Sequence, residues 1–362
     1  MIRTGGADRE VEFTAGGRLK VYVTPADVGK RVSVRRLTGA GPGARKFSDT
    51  VGVLTSWDAG VLFITRKDGE SVRIAESALV AGKVVPPAPA RRRGPATSFE
   101  ELTAVLARGW QPVESEALGD WRLRAASGFT RRANSALPSG DPGMPLDEAL
   151  ARVRQWYEAR GLPPYVQAAT GAEGTQEQLC AELERRGWWR EVTAEVRIGA
   201  LAPLADRDAD VSRVRLGREC DAAWLRRYQR VGTPGPHVLQ VLRGGPSVWF
   251  ATVAGERDAN GGGGGGGGDG ENGGDAGDGV PAAIGRCVVD GRWAGFMAVE
   301  VDPAHRRQGL ATSVMTALAR RALEEGASAG WLQVESDNEG ARALYDAMGF
   351  DVHHRYHHFR TS

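Results

Sequence analysis

Between residues 26 and 86 the apolar side chains come in short, partly alternating runs: RVSVRRL, TVGVLTSW, VLFITRK and SVRIAESALVAG. They are rich in β-branched residues, and turn-formers such as DAG and KDGE part them. The pattern predicts four or five strands forming a small barrel over residues 22–86, which hides strand edges. Further on the period changes. In PLDEALARVRQWYEARG, Leu146, Leu150, Val153 and Tyr157 fall on one helical stripe, with Pro145 suited to the first turn and Gly161 to the end. TQEQLCAELERRG opens with Thr175 and Gln178 at capping-box spacing and stops at Gly187. REVTAEVRIG reads as a strand. The helix–strand alternation of residues 99–200 needs sheet partners, so it is expected to pack on the chain beyond residue 200.

Residues 211–360 are the most legible block. VSRVRLG reads as a strand, ECDAAWLRRYQRV as a helix and SVWFATVAG as a strand. AIGRCVVDGRWAGFMAVEV predicts two strands about a DG turn. A long helix is expected over 309–325, stopped by Gly326, with Leu310, Val314, Leu318 and Ala322 as its buried stripe. GWLQVES is a strand, residues 339–348 a helix ending at Gly349, and FDVHHRYHHFR a strand.

Two stretches carry no such pattern. VPPAPARRRGPA, residues 85–96, reads as stiff and proline-rich, and the linker between units is expected over 87–98. The run 258–279, with eight successive glycines, has almost nothing apolar to bury and is expected to be a disordered loop between two strands.

Composition narrows the class. At 41% hydrophobic and 25% charged, the chain of 362 residues is expected to be soluble and globular, with room for two or three domains. No apolar run approaches membrane-spanning length and the first residues lack a secretory pattern. Three scattered cysteines argue against a disulfide framework or a cysteine zinc site. These features predict a cytoplasmic protein. Charge is uneven: residues 1–95 hold 17 Lys/Arg against 9 Asp/Glu. Such a basic module fits either a solvated surface or a polyanion, and Arg35, Arg36 and Arg91 to Arg93 are its best support for nucleic acid.

Positive charge and bare backbone meet at HRRQGLA, residues 305–311. Asp302-Pro303 ends a strand, and the next residues enter a helix. A helix start carries unpaired N–H groups and a partial positive charge. Gly309 and Ala311 let a ligand approach the backbone, and Arg306 and Arg307 add full charges. This is an anion site, suited to phosphate. This junction is neither a Walker A loop nor a GxGxxG fingerprint.

R-R-Q-G-L-A resembles the Arg/Gln-x-x-Gly-x-Gly/Ala motif of the GNAT superfamily of N-acetyltransferases. DNEGARALYDAMGF (337–350) resembles that family's second signature, Asn-x-x-Ala-x-x-Leu-Tyr-x-x-x-Gly-Phe, in the family's order and spacing. The resemblance covers residues 211–360. It implies a mixed α+β fold with an acetyltransferase sheet. Residues 99–200 resemble the degenerate first half of tandem members; no copy of the first motif occurs within them. Residues 22–86 are similar, more loosely, to the Src-homology-3-like barrel of mycobacterial histone-acetyltransferase-like proteins.

The resemblance implies acetyl-coenzyme A as cosubstrate and an amine as acceptor. Its pyrophosphate would lie on Arg306, Arg307, Gln308, Gly309, Leu310, Ala311 and Thr312. Its pantetheine arm would pair with Val299, Glu300 and Val301, where a β-bulge usually splays two strands. Asn338 matches the residue that holds the arm, and Tyr345 the tyrosine near the thioester sulfur, suited to be general acid. The base stays open between Glu300, Glu335, a water and another group, because Gln333 stands where some members carry a glutamate. Cys287 reads as a buried hydrophobe, so direct attack in a ternary complex is expected. In HHRYHH, strand alternation puts His353 and His357 on one face and His354 and His358 on the other, and no metal is assigned. The competing readings are an acyl-coenzyme A sensor without turnover, and a transferase directed by the basic barrel to a nucleic-acid-associated protein.

Overall fold

The computed structural model describes residues 21–38, 46–86, 94–228, 234–255 and 279–362. The glycine run, the linker segment with Arg91 to Arg93, and the end of the helix expected over ECDAAWLRRYQRV therefore lie outside the described residues. Among those described, no helix is long and apolar enough to cross a membrane.

The first unit has strands β1 (Arg31–Thr38), β2 (Lys46–Asp58), β3 (Val61–Thr65), β4 (Ser71–Ala75) and β5 (Leu79–Val84). SVRIAESALVAG is two strands, not one, because a 3₁₀ turn at Glu76–Ala78 breaks it. The antiparallel order is β4-β3-β2-β1-β5. Val32, Val34, Leu54, Leu62, Ile64, Val72 and Ile74 share one core, so the sheet rolls around itself.

The middle of the chain forms α1 (Phe99–Gly109), β6 (Glu114–Leu118), β7 (Trp121–Ala125), α2 (Leu146–Glu158), β8 (Tyr165–Thr170), α3 (Glu177–Arg185) and β9 (Trp189–Ala200). Pro145 is the N-cap of α2 rather than part of its first turn. The capping box expected at α3 does not form. Glu177 takes the Gly171 amide at 2.8 Å and the Thr175 hydroxyl at 2.8 Å, so Thr175 faces its own turn instead of Gln178. Gly187, at φ +79°, does end this helix region.

The rest forms α4 (Ala202–Ala205), β10 (Val214–Gly217), α5 (Ala222–Arg227), α6 (Pro236–Arg243), β11 (Ser247–Val253), β12 (Ala283–Asp290), β13 (Trp293–Val301), α7 (Leu310–Glu324), β14 (Ala329–Glu335), α8 (Glu339–Ala347) and β15 (Asp351–Arg360). One eight-stranded sheet runs β10-β11-β12-β13-β14-β9-β15-β8. All neighbours are antiparallel except β13 and β14. Residues 99–200 thus supply two strands to the sheet of residues 211–360, and β9 sits between β14 and β15.

Two cores cover the sheet's centre. On one face α7 buries Leu310, Val314, Leu318 and Ala322, the expected stripe, with Phe296, Leu332 and Phe350. On the other face α1, α5 and α6 bury Leu102, Trp110, Trp224 and Val241 against Ile284, Met297 and Trp331. Arg286 interrupts the apolar strand β12 and is fully buried. It donates to the carbonyls of Leu242 (2.6 Å), Gly109 (3.1 Å) and Gly244 (2.6 Å). These are the C-terminal ends of α6 and α1, where the helix dipole favours a cation. Burial still pulls this guanidinium down to about 9.

Candidate active site

The site begins with a defect in β13. Its ladder to β12 skips between Ile284 and Arg286, so Ala298 and Val299 together oppose Gly285. Ala298 takes φ +51°, rare for a side-chain-bearing residue. On the other edge, β13 pairs with β14 only from Trp293 to Phe296. β14 instead stays paired to β9 along its whole length. Beyond Phe296 the two parallel strands part, and a bulge is the device that re-aims a strand in this way. Gly295 clamps the closed end: a Cβ there would come within 2.1 Å of the Trp331 ring.

Past Val301 the backbone turns at once. Asp302 Oδ1 accepts from the Ala304 amide at 2.8 Å, and Arg227 donates to its other oxygen. The Ala304 bond first, then the Arg227 charge, hold this carboxyl below the usual range. Arg307 at φ +65° and Gly309 at φ +80° are both left-handed, and α7 starts at Leu310 without any side-chain cap. Arg306, Arg307, Gln308 and Gly309 are exposed, Ala311 and Thr312 half-buried, and Leu310 is buried as an anchor. A Cβ on Gly309 would meet nothing within 4 Å. The loop offers amide hydrogens and two guanidinium groups to open space, the combination that binds anions.

Register assigns the faces. Val299 and Val301 pack on the α7 side. Glu300 stands opposite Ile284, which belongs to the α1-side core. Gln333 and Glu335 are two and four residues beyond Trp331 on β14, so they share that α1 face. Gln333 lies one position past the end of the β13 ladder and accepts a hydrogen bond from Arg132. Arg132 belongs to the middle of the chain, outside the block of residues 211–360 that carries the two motifs, and no local signal marks it.

Asn338 is the N-cap of α8: its Oδ1 accepts from the Ala341 amide at 3.0 Å. Tyr345, half-buried on this helix, meets Phe350 edge-on with ring centroids 6.3 Å apart. Cys287 is buried and its thiol is pushed up to about 12 by desolvation, which makes it a poor nucleophile.

The histidines depart from simple alternation. A register shift between Val352 and His354 brings His353 Nδ1 within 2.8 Å of His354 Nδ1, so neighbours expected on opposite faces touch. His357 lies between Thr170 (3.0 Å) and Thr193 (2.8 Å). Among the described residues, no group of three or more His, Cys, Asp or Glu is placed to hold a metal ion. In the basic unit, Arg35 is tied bidentately to Asp49 at 2.7 and 2.8 Å, so its charge is matched locally.

Comparison with known proteins identifies the family. Residues 98–359 match the family described as probable histone acetyltransferase Rv0428c, C-terminal. The probable histone acetyltransferase Rv0428c of Mycobacterium tuberculosis is 26% identical over 334 residues, covering 90% of this chain and 93% of its own. An uncharacterized N-acetyltransferase, YobR, of Bacillus subtilis is 23% identical over 271 residues, 72% of this chain and 97% of that one. A GCN5-related N-acetyltransferase from Kribbella flavida shares the fold, with TM-score 0.51 at 15% identity over 73% of this chain and 96% of that chain. The chain therefore belongs to the Rv0428c C-terminal family and is a GNAT-type N-acetyltransferase.

Proposed function

We propose that this enzyme moves an acetyl group from acetyl-coenzyme A to an amine by direct attack in a ternary complex. The observation that carries the reading is the bulge at Ala298 joined to an uncapped helix start: a strand edge left open next to an anion-binding loop. Amides of residues 307–312, with Arg306 and Arg307, take the pyrophosphate. The backbone of Val299, Glu300 and Val301 pairs with the pantetheine arm, and an amide near Val299 polarises the thioester carbonyl. Asn338 braces the arm from the start of α8. Tyr345 donates a proton to the leaving thiolate. Glu300, on the α1 face, takes the amine proton directly or through water.

Calorimetric titration of acetyl-coenzyme A into wild type, Gly309→Asn and Gly309→Glu tests the binding step. Asparagine tolerates the left-handed backbone, whereas glutamate adds bulk and negative charge. Wild type and Gly309→Asn are expected to bind at micromolar level and Gly309→Glu at least about tenfold more weakly. Equal binding by all three sinks the assignment. Tyr345→Phe is expected to keep acetyl-coenzyme A affinity and lower turnover by about a hundredfold. Unchanged turnover removes Tyr345 from the chemistry.

A further inference from the structure

A cavity of about 30 Å³ lies between α1 and the sheet face formed by β8, β9 and β15, and it reaches β14 at Gln333. Arg124 and Arg132 line it, with Trp110, Gln167, Gln333 and His354 among their neighbours, and no carboxylate is among the residues lining it. Arg124 is only 5% exposed. Its hydrogen bonds run to Ser135 O (3.0 Å), Ser135 Oγ (2.8 Å) and Gln167 Oε1 (2.9 Å), all neutral oxygens. Arg132 donates to the neutral Gln333 amide oxygen and lies over the Trp110 ring at 4.8 Å.

Among the described residues, two of the three other buried arginines are paired with acids. Arg197 meets Glu195 at 2.7 Å and Asp346 at 2.5 Å, and Arg227 meets Asp302. Arg286 sits on helix-end carbonyls. A buried charge without an acid partner is costly, so a cavity lined by the buried Arg124 and the half-buried Arg132 and by no acid calls for an anion from outside. His358 adds to the asymmetry. Both its ring nitrogens are buried without a hydrogen-bond partner, and the charges of Arg124, Arg131 and Arg132 bear on it. Desolvation pulls Arg124 itself down to about 10.

Size and place limit the ligand. The cavity has room for a group of one or two water-sized parts, such as a carboxylate. Phe99, Thr103, Ala107, Leu137, Gln176 and His354 line both this cavity and a wide groove, which gives a way in. Gln333 joins the cavity to the point where β13 and β14 part, and Glu300 is on the same face.

We propose that the cavity seats the carboxylate of the acceptor, so that the enzyme acts on small amines bearing an acid group, held by Arg124 and Arg132. The acceptor role rests on the acetyl-transfer reading; the anion seat does not. The test uses the full chain and a series of ω-amino acids, from glycine to aminohexanoate, each beside its primary amide. Binding is measured by calorimetry without and with acetyl-coenzyme A. At least one acid is expected to bind about tenfold or more tightly than its amide. Gln333→Glu supplies Arg132 with an internal carboxylate, and Arg132→Gln removes the charge. Both are expected to abolish that preference while leaving acetyl-coenzyme A affinity as in wild type. Equal binding of acids and amides, no binding of either, or a preference that survives both substitutions overturns the proposal. If acids outbind amides and acetyl-coenzyme A does not bind, the anion seat stands and the transfer reading falls.

Discussion

The start of α7 and the cavity beside β14 both present positive charge, by opposite means. At α7 the charge comes from main-chain amides and from arginines that reach into solvent. At the cavity it comes from Arg124, buried, and Arg132, half-buried, both held by neutral oxygens. The first arrangement costs the fold little, because water solvates it until a ligand arrives. The second withdraws charge from water before any ligand is present. A site for a ligand with several phosphates can use the cheap form, since long-range attraction suffices. A site that must select one small group gains from the expensive form, where an unmatched partner is penalised.

Acid should separate the two regions most sharply. His354 lines the cavity, and His358 faces Arg124, Arg131, Arg132 and His357. His357 faces Arg190 and Arg355. Burial lowers His357 to about 3 and puts His354 and His358 well below their ordinary value. An unfolded chain protonates these rings below about pH 6.5 while the fold keeps them neutral, so stability falls as pH falls from about 6.5 towards 3. At about pH 5 the loss from His357 alone is about 2 kcal/mol. Urea unfolding at about pH 7 and pH 5 measures it, and His357→Gln should flatten the dependence by one proton. A flat profile would mean that the rings take up protons in the fold.

A smaller effect lies at the exposed end. Replacing Arg306 and Arg307 together by glutamine should weaken acetyl-coenzyme A binding by about threefold to tenfold at low salt, and less at high salt. Acid-over-amide selectivity should not respond. If high salt erases that selectivity as fully as it erases the arginine effect, the cavity is wetter than its lining implies.

The smallest effect concerns the hinge between them. Ala298 holds φ +51° in the bulge. Ala298→Gly should stabilise the fold by up to about 1 kcal/mol and leave acetyl-coenzyme A affinity unchanged. A stability loss, measured by thermal unfolding, would mean that the alanine methyl packs more than its backbone strains.

The two regions also differ in how far the sequence announces them. The α7 start depends on neighbours in the chain: Asp302-Pro303, Gly309 and the stripe beginning at Leu310 lie within nine positions of one another. Local chemistry suffices to see it. The cavity joins Arg132 to Gln333 across 201 positions. In WRLRA, Arg122 is exposed and Arg124 buried, although both alternate with the same apolar residues. Nothing short-range distinguishes them, because the difference arises from what β7 packs against. The glutamine at 333 is visible in the sequence as a departure from pattern; the arginine that makes sense of it is not. The strand shift at Val352 is hidden for a similar reason, since it belongs to the pairing of two strands and not to either one.

The position of β9 between β14 and β15 has a consequence for biosynthesis. A ribosome delivers β8 and β9 long before β15, the strand that must slide between β9 and β8. Until then β9 and β8 each present an unmatched edge, a template for any other extended segment nearby. The half-made sheet thus holds a slot shaped for one strand. Crowded nascent chains could fill it with a neighbour's β15, and the enzyme's yield in a cell would then depend on how quickly its own arrives.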